Sequence, residues 1–392
     1  MSTKNKRIFI EALALVDGHF SGIGQYVLGI LKGIDELIDE AILTGEVQPD
    51  VYVVIPYDTV HAFRKFGFRH IKYRLVPIPF RIMSGLWHRN KMPPLDLFCG
   101  KGIYLFTRFA DMRLLSPKNK SALVIYDISY EIHREYSDEG NARFLSDAVK
   151  RSLRRASKIV TISQNAKREI VEFYGVNKSS VCVATPATDA SMFYRRSQTE
   201  IAKAKQKYGI SGEYILALSN LEPRKNLGTL VEAYCNLPKQ YRDNLSLVLV
   251  GVSGWKTDKL FGDILARVEQ GYDIIRPTSY VLDEDKPAIL SGAKMLVYPS
   301  HYEGFGMPPL EALACGTPVI VANNSSLPEA VGKNGEMLDS HNTEGFMKAI
   351  KKYFDGYEDV AKTAQREGPK HAATFSWKAS AQTILAHLGD ID

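Results

Sequence analysis

Short apolar runs alternate along this chain with longer stretches whose apolar positions recur at helical spacing. Runs bounded by turn-forming residues predict buried strands, and the spaced stretches predict amphipathic helices. In the first half, strands are expected at residues 7–15, 51–56, 121–127, 158–163 and 181–184. Between them fall a helix after Gly24 with Val27, Ile30, Leu31 and Ile34 on one face, a helix over 141–156 and another over 164–174. Residues 64–120 carry weaker patterning, with room for mobile loops. The second half repeats the theme, with strands at 214–219, 245–250, near 274, 295–298 and 319–321, and helices at 227–235, 259–269, after 283, and 343–354. Periodicity fades over 185–197, the expected linker, and two helical patches at 360–371 and 377–388 close the chain. Alternation in two blocks predicts an α/β protein of two Rossmann-like doubly wound domains facing a cleft. The expected boundaries are 1–190, 191–370, and a helical tail at 371–392 returning to the first domain.

Residues 295–322, MLVYPSHYEGFGMPPLEALACGTPVIVA, organise the second block. Gly304 and Gly306 sit in a loop where the backbone bends sharply or approaches something closely. Pro308 and Pro309 belong in a helix's first turn, and Gly316 followed by Pro318 stops that helix. Glu303 falls in the loop and Glu311 in the first helical turn, at the carboxyl end of a strand, where open α/β sheets bind ligands. Residue type leaves three roles open: an acid/base pair, recognition of ligand hydroxyls, or, for Glu311, stabilisation of the helix start.

Other loops carry candidate chemistry. Glu222, Pro223, Arg224 and Lys225 precede a helix, so two adjacent cations and a helix start suit a diphosphate, or else form an exposed turn. The loop DGHFSGIG, with Gly22 and Gly24 and with Ser21 as a cap, suits an anion or is simply a tight turn. The strand over 121–127 ends in Tyr126 and Asp127, a position for ligand contacts. Asp283, Glu284 and Asp285 spell a pattern that can hold a divalent ion, but Asp283 is read as the cap of the following helix. His19 and His301 lie in candidate cleft loops and show no metal-ligand spacing.

Composition adds limits. The 392 residues suit two domains, and 45% hydrophobic with 24% charged residues is ordinary for a globular protein. No run is long enough to span a membrane, and the start MSTKNKRIFIEALAL is read as lacking a signal peptide. Cys99, Cys182, Cys235 and Cys315 are scattered and read as reduced, buried thiols of a cytoplasmic protein. The net charge of +6 divides into 28 Lys/Arg against 20 Asp/Glu in residues 1–195, and 22 against 24 beyond. Most of the excess lies in residues 64–120, interleaved with Phe66, Phe68, Phe80, Met83, Leu86 and Trp87. That surface suits anionic membrane or nucleic acid, or is a solvated face over an ordinary core.

Taken together, EGFGMPPLE at 303–311, FSGIGQYV, NAKREIVEFYGV, NLEPRKNL, LVLVGVSGWK and ANNSSLPEAVG resemble, in order and spacing over about residues 8–350, the retaining glycosyltransferases of family 4. The chain looks closest to the mannosyltransferase-like branch that extends O-antigen and related polysaccharides. The resemblance implies the GT-B fold, with the donor mostly on the second domain and the acceptor mostly on the first. It implies that Glu303 contacts the donor sugar with the backbone of Gly304, Phe305 and Gly306, that Glu311 holds the ribose hydroxyls, and that Lys225, assisted by Arg224, neutralises the diphosphate. Gly22 and Gly24 would approach the donor phosphate, and Ser219 and Gly251 would border the donor. Tyr126, Asp127 and His19 are possible donor-sugar or acceptor contacts. Ser219 stands where many relatives carry an Arg, and Tyr126 where many carry a His.

The implied donor is a nucleotide-sugar, GDP-mannose being favoured, and the implied acceptor is a lipid-linked or polysaccharide glycan. Neither metal nor other cofactor is expected, no nucleic-acid partner is expected, and the expected location is the anionic inner face of the cytoplasmic membrane. Retention would leave the departing phosphate to take the acceptor's proton, so no carboxylate nucleophile is needed, unlike a retaining glycosidase. The rival readings are a GT-B nucleotide-sugar epimerase or phosphorylase, and a basic, non-catalytic nucleic-acid-binding module, against which the carboxylate pair weighs.

Overall fold

The apolar runs of the first block assemble into one seven-stranded parallel sheet. Its strands are β1 (Arg7–Glu11), β2 (Asp50–Pro56), β3 (Lys72–Val76), β4 (Ile103–Phe106), β5 (Lys120–Val124), β6 (Lys158–Thr161) and β7 (Val181–Val183), in the order β3-β2-β1-β4-β5-β6-β7. The computed structural model describes residues 6–16, 22–45, 49–89, 91–110, 112–252, 254 and 257–391. Central strands are covered on both faces, which is why they read as continuous apolar runs: Ile8, Phe9 and Ile10 are buried, as are Val53, Val54 and Ile55.

β1 ends at Glu11 rather than continuing to residue 15. The Glu11 carboxylate accepts the Leu13 N–H at 2.7 Å and turns the chain into a 3-10 turn, Leu13–Leu15. The weakly patterned region over 64–120 is not mainly loop. It holds β3, a helix Phe80–His88, a short helix Asp96–Cys99, and β4. β3 is an edge strand with Lys72 and Arg74 exposed, and β4 has only four residues, so neither produced a periodic signal.

The chain divides into two units, Met1–Pro186 with Ser376–Asp392, and Ala187–Phe375, against expected boundaries after 190 and 370. In the first unit the last helix, Trp377–Gly389, packs along the helix Gly22–Thr44. The approach is close because a Cβ on Gly33 would lie 2.4 Å from the Trp377 carbonyl oxygen. Cys99, Cys235 and Cys315 are buried, whereas Cys182 is half-buried, and all four are free thiols.

The second unit carries a six-stranded parallel sheet: β8 (Glu213–Leu218), β9 (Leu245–Val250), β10 (Ile274–Ile275), β11 (Met295–Tyr298), β12 (Val319–Ala322) and β13 (Gly335–Leu338), ordered β10-β9-β8-β11-β12-β13. β13 is a half-buried edge strand that the apolar pattern did not reveal. A helix Gln198–Lys207 was likewise missed, although Ser197 and Glu200 form a reciprocal capping box that the sequence spells out. In both sheets the strand order reverses beside the first strand, between β1 and β4 and between β8 and β11. A crevice at the carboxyl ends of such a pair is where doubly wound sheets bind ligands.

Candidate active site

β8 and β11 are hydrogen-bonded neighbours whose following loops start at the same end of the sheet. Leu218 is followed by Ser219 and a loop that closes with the 3-10 turn Pro223–Lys225. Asn226, in left-handed conformation (φ 52°), then starts the helix Leu227–Cys235. Its amide donates to the Pro299 carbonyl at 3.0 Å and the Ser340 carbonyl at 2.7 Å, tying this loop to those after β11 and β13. The His301 N–H donates to the Arg224 carbonyl at 2.9 Å, a second tie.

These ties bring the predicted charges together. Lys225 Nζ lies 2.7 Å from Glu303 Oε1 and 3.1 Å from Tyr298 Oη, and all three side chains are buried. Arg224 reaches Glu222 Oε1 at 3.0 Å and stands 3.9 Å from Glu303 Oε2. Burial pushes the Glu303 carboxyl up, but Lys225 and Arg224 outweigh it, so the group is held below the usual carboxylate range and ionised. Burial pulls the Lys225 ammonium below its ordinary value, with Glu303 opposing. An ion pair in such surroundings is poorly screened, so an incoming anion would feel both cations strongly.

The backbone around Glu303 is equally fixed. Ser325 Oγ accepts the Glu303 N–H at 2.9 Å, and the single Ser326 hydroxyl hydrogen is shared between the carbonyls of Glu303 and Phe305, 2.8 and 2.9 Å from Oγ. Ser326 therefore holds the loop instead of capping the next helix, Leu327–Val331. Gly304, Phe305 and Gly306 are buried. Gly306 has φ 115° and lies so near Leu327 that an added Cβ would sit 2.8 Å from Cδ2. On the far side of β8, a Cβ on Gly251 would fall 1.7 Å from the Ser219 carbonyl oxygen, so only glycine lets the loop after β9 lie against Ser219.

Glu311 stands apart from this network. The helix Met307–Ala314 begins one residue ahead of its prolines, which places Glu311 beyond the first turn, so stabilising the helix start does not explain it. Its carboxylate makes no hydrogen bond among the described residues, and burial raises it to about 7, with Lys286 opposing and Asp283 adding. A buried, underused carboxylate is suited to accept donors from a ligand. The Asp283–Asp285 turn is not a side-chain cap either: Asp283 pairs with Lys286, while Asp285 accepts Lys207 Nζ at 2.7 Å and Tyr208 Oη at 2.6 Å. Among the described residues no group of three or more His, Cys, Asp or Glu is arranged to hold a metal ion. His301 stacks on His341 with ring centroids 4.7 Å apart, and its Nδ1 lies 3.2 Å from Ser340 Oγ.

In the first unit, Gly22 is exposed at the start of its helix and Gly24 is buried within the first turn, while His19 and Ser21 lie outside the described residues. Tyr126 is buried, and its hydroxyl donates to the Thr107 carbonyl at 2.9 Å, between the rings of Tyr26 and Phe109. Asp127 is occupied locally, accepting the N–H and hydroxyl of Ser129 at 2.9 and 2.7 Å. The reversal point of this sheet carries residues that sequence reasoning missed: Glu11 at the end of β1, with Thr107 and Arg108 just after β4. Glu11 Oε2 accepts the Thr107 N–H at 3.3 Å and its hydroxyl at 3.1 Å, and Arg108 Nε lies 3.2 Å from Oε1. In the second unit Asn226, Tyr298, Ser325 and Ser326 were missed as site residues, and Glu222 was named in its loop without a role. All but Tyr298 lie in or beside the motif stretches NLEPRKNL and ANNSSLPEAVG, the one signal that could have found them.

Two Rossmann-like parallel sheets, the second with a buried ion-pair cluster at its reversal point, agree with the GT-B expectation, and the comparisons show a GT-B glycosyltransferase. Residues 199–369 match the family model for glycosyl transferases group 1. The O-antigen chain mannosyltransferase B of Escherichia coli is 34% identical over 272 residues, 68% of this chain and 70% of that protein. The serotype-specific mannosyltransferase WbdA of Escherichia coli is 28% identical over 68% of this chain, which spans only 33% of that longer protein. Among solved structures, Anabaena Alr3699/HepE in complex with UDP and glucose superposes with a TM-score of 0.69 at 15% identity, covering 99% of this chain and 100% of that one. WaaG, a glycosyltransferase involved in lipopolysaccharide biosynthesis, gives 0.68 at 15% identity, covering 98% and 100%. The chain belongs to the glycosyl transferases group 1 family.

Proposed function

We propose that the chain transfers a mannosyl residue from GDP-mannose to a lipid-linked or polysaccharide acceptor with retention of anomeric configuration. The observation that carries this reading is the buried Lys225–Glu303 pair, 2.7 Å apart, at the reversal point of the second sheet with Arg224 beside it. The mannosyl donor is supported by the names of the relatives alone, two of which are mannosyltransferases. Breaking the sugar–phosphate bond leaves positive charge on the sugar ring and negative charge on the diphosphate. In this proposal Lys225 and Arg224 meet the second charge, and a fixed cation is most effective where water is excluded. Glu303, held ionised, stands by the sugar together with the backbone of Gly304, Phe305 and Gly306. Glu311 takes the ribose hydroxyls, and Ser219 and Gly251 border the nucleotide. The leaving diphosphate takes the acceptor's proton, so neither glutamate serves as nucleophile. In this reading no metal is needed, because Lys225 and Arg224 would neutralise the charge of the leaving diphosphate.

Among the described residues no helix is long and apolar enough to cross a membrane. We place the enzyme peripherally on the cytoplasmic face, drawn there by the basic surface of the first unit.

Replacement of Lys225 by Met, or of Glu303 by Gln, is expected to lower kcat by about a hundred- to a thousandfold, the scale on which removal of one transition-state contact acts. Thermal shift against GDP-, UDP- and dTDP-sugars should single out GDP-mannose, since a ligand bound only by the folded state raises Tm. Normal turnover in either variant, or a shift with UDP-sugars alone, refutes the respective part.

A further inference from the structure

The first unit contains a cavity of about 380 Å³ that no part of the glycosyl-transfer chemistry above uses. Its size falls in the range of small-molecule sites, about 300–1,000 Å³. It lies between the helix Phe80–His88 and the helix Glu139–Leu153, floored by the segment that follows β4. Two features set it apart from an ordinary surface hollow.

The first is charge. Lys91, Arg113, Arg151 and Arg155 line it, and no described lining residue is acidic; Asp111, between the lining residues Ala110 and Met112, lies outside the described residues. Lys91, Arg113 and Arg151 make no ion pair among the described residues, although Asp147 stands four positions before Arg151 on the same helix. Elsewhere on that helix the cations are matched: Arg143 pairs with Glu139, and Lys150 lies 3.1 Å from Glu131. Unmatched cations around a concavity concentrate field in it and favour an anion there.

The second is a wall suited to an organic body. Trp87 and Phe144, both half-exposed, meet edge to face at 5.5 Å, with Met92 and Met112 buried behind them. Arg108 covers the Trp87 ring at 4.3 Å, which fixes the indole. A bare inorganic anion would leave that wall unused.

We propose that this cavity binds a phosphate-bearing ligand, a phosphate or diphosphate ester whose anionic head meets Lys91, Arg113 and Arg151 and whose sugar or hydrocarbon body lies against Trp87 and Phe144. Guanidinium forks match phosphate oxygens in pairs, which favours arginine for this task. The ester comes from one of two sources, the diphosphate of a lipid-linked acceptor or the headgroup of an anionic phospholipid. The first assignment rests on the glycosyl-transfer reading, whereas binding itself does not.

Isothermal titration of the full chain with farnesyl diphosphate and with inorganic pyrophosphate, and flotation with phosphatidylglycerol and phosphatidylcholine vesicles, test the site. Comparison is with the double variant Arg113→Gln/Arg151→Gln and the control Arg143→Gln. The expected result is farnesyl diphosphate bound more tightly than pyrophosphate, at least tenfold weaker binding in the double variant, and no change in the control. Flotation on phosphatidylglycerol that the double variant loses, with no soluble ester bound, supports the cavity and assigns the ester to phospholipid. Binding equal in wild type and double variant, or none to any probe, overturns the proposal. The GDP-mannose thermal shift is expected to be the same in both variants as in wild type; its absence in wild type would sink the donor reading and leave the cavity proposal to the titrations.

Discussion

The two sheets reverse strand order in the same way, yet their reversal points do different work. In the second unit Glu303 spends its oxygens on Lys225 and Arg224, charges that a ligand could engage. In the first unit Glu11 is more deeply buried and spends its oxygens on the backbone N–H groups of Leu13 and Thr107, the Thr107 hydroxyl and Arg108. The cluster around Glu303 holds paired cations in a fixed frame. The cluster around Glu11 latches the end of β1 to the end of β4. Topology therefore supplies a place for a site, and the partners of the carboxylate decide whether chemistry or architecture occupies it.

The sharpest way to break this comparison is to remove each carboxylate. Glu303→Ala leaves Lys225 buried without its partner, and Glu11→Ala orphans two N–H groups and Arg108. Each is expected to lower the free energy of unfolding by about 3–5 kcal/mol, read by urea denaturation. Only Glu303→Ala should also abolish transfer, assayed at a temperature where both variants remain folded. Pairing it with Lys225→Met should recover most of the stability and none of the activity, because the unpaired charge is then gone. Loss of transfer in folded Glu11→Ala would show that the first reversal point touches a ligand after all.

The difference between the units also explains what the sequence made legible. Central strands such as β9 and β11 are buried on both faces and announced themselves as apolar runs. β3 and β13 lie at sheet edges with exposed or half-exposed side chains, and their pattern dissolved into the loops. Lys225 and Glu303 were readable because charge and glycine stood together in motif-rich loops. Glu11 was not, since a lone acid at the end of an apolar run looks like an interruption until β4 is brought beside it. Glu311 was read at the helix start because the prolines set the expected first turn, whereas the helix begins one residue earlier at Met307.

Glu311 gives the next largest effect, and its sign is opposite to that of Glu303. Glu303 is held low, so its contribution is present above the unfolded value, about 4.3, and is lost as pH falls through the folded value. Glu311 is raised to about 7, so the stability of its neutral form is fully present below about 4.3 and is lost as pH rises toward 7. Glu311→Gln should thus stabilise the fold by about 3–4 kcal/mol at pH 8 and by only about 1 kcal/mol at pH 5, compared in urea. If the ionised carboxylate holds the ribose, wild-type affinity for GDP should weaken about tenfold from pH 8 to pH 6. The Gln variant should lack that dependence, and an equal slope in both proteins would remove Glu311 from the ligand contacts.

Tyr126 tests the architectural side with the smallest effect. Its hydroxyl donates to the Thr107 carbonyl, the same residue whose N–H and hydroxyl serve Glu11, so Tyr126 and Glu11 grip one segment from two sides. Burial holds the phenol well above its ordinary value, which keeps it a neutral donor through the working pH range. Tyr126→Phe removes one buried hydrogen bond and keeps the ring between Tyr26 and Phe109, a loss of about 1–2 kcal/mol. Combined with Glu11→Ala, the cost should fall short of the sum, because both changes release the same backbone. Transfer by Tyr126→Phe should stay within about twofold of wild type; a drop in kcat/KM beyond tenfold, about 1.4 kcal/mol, would mean that the hydroxyl leaves Thr107 to meet the substrate.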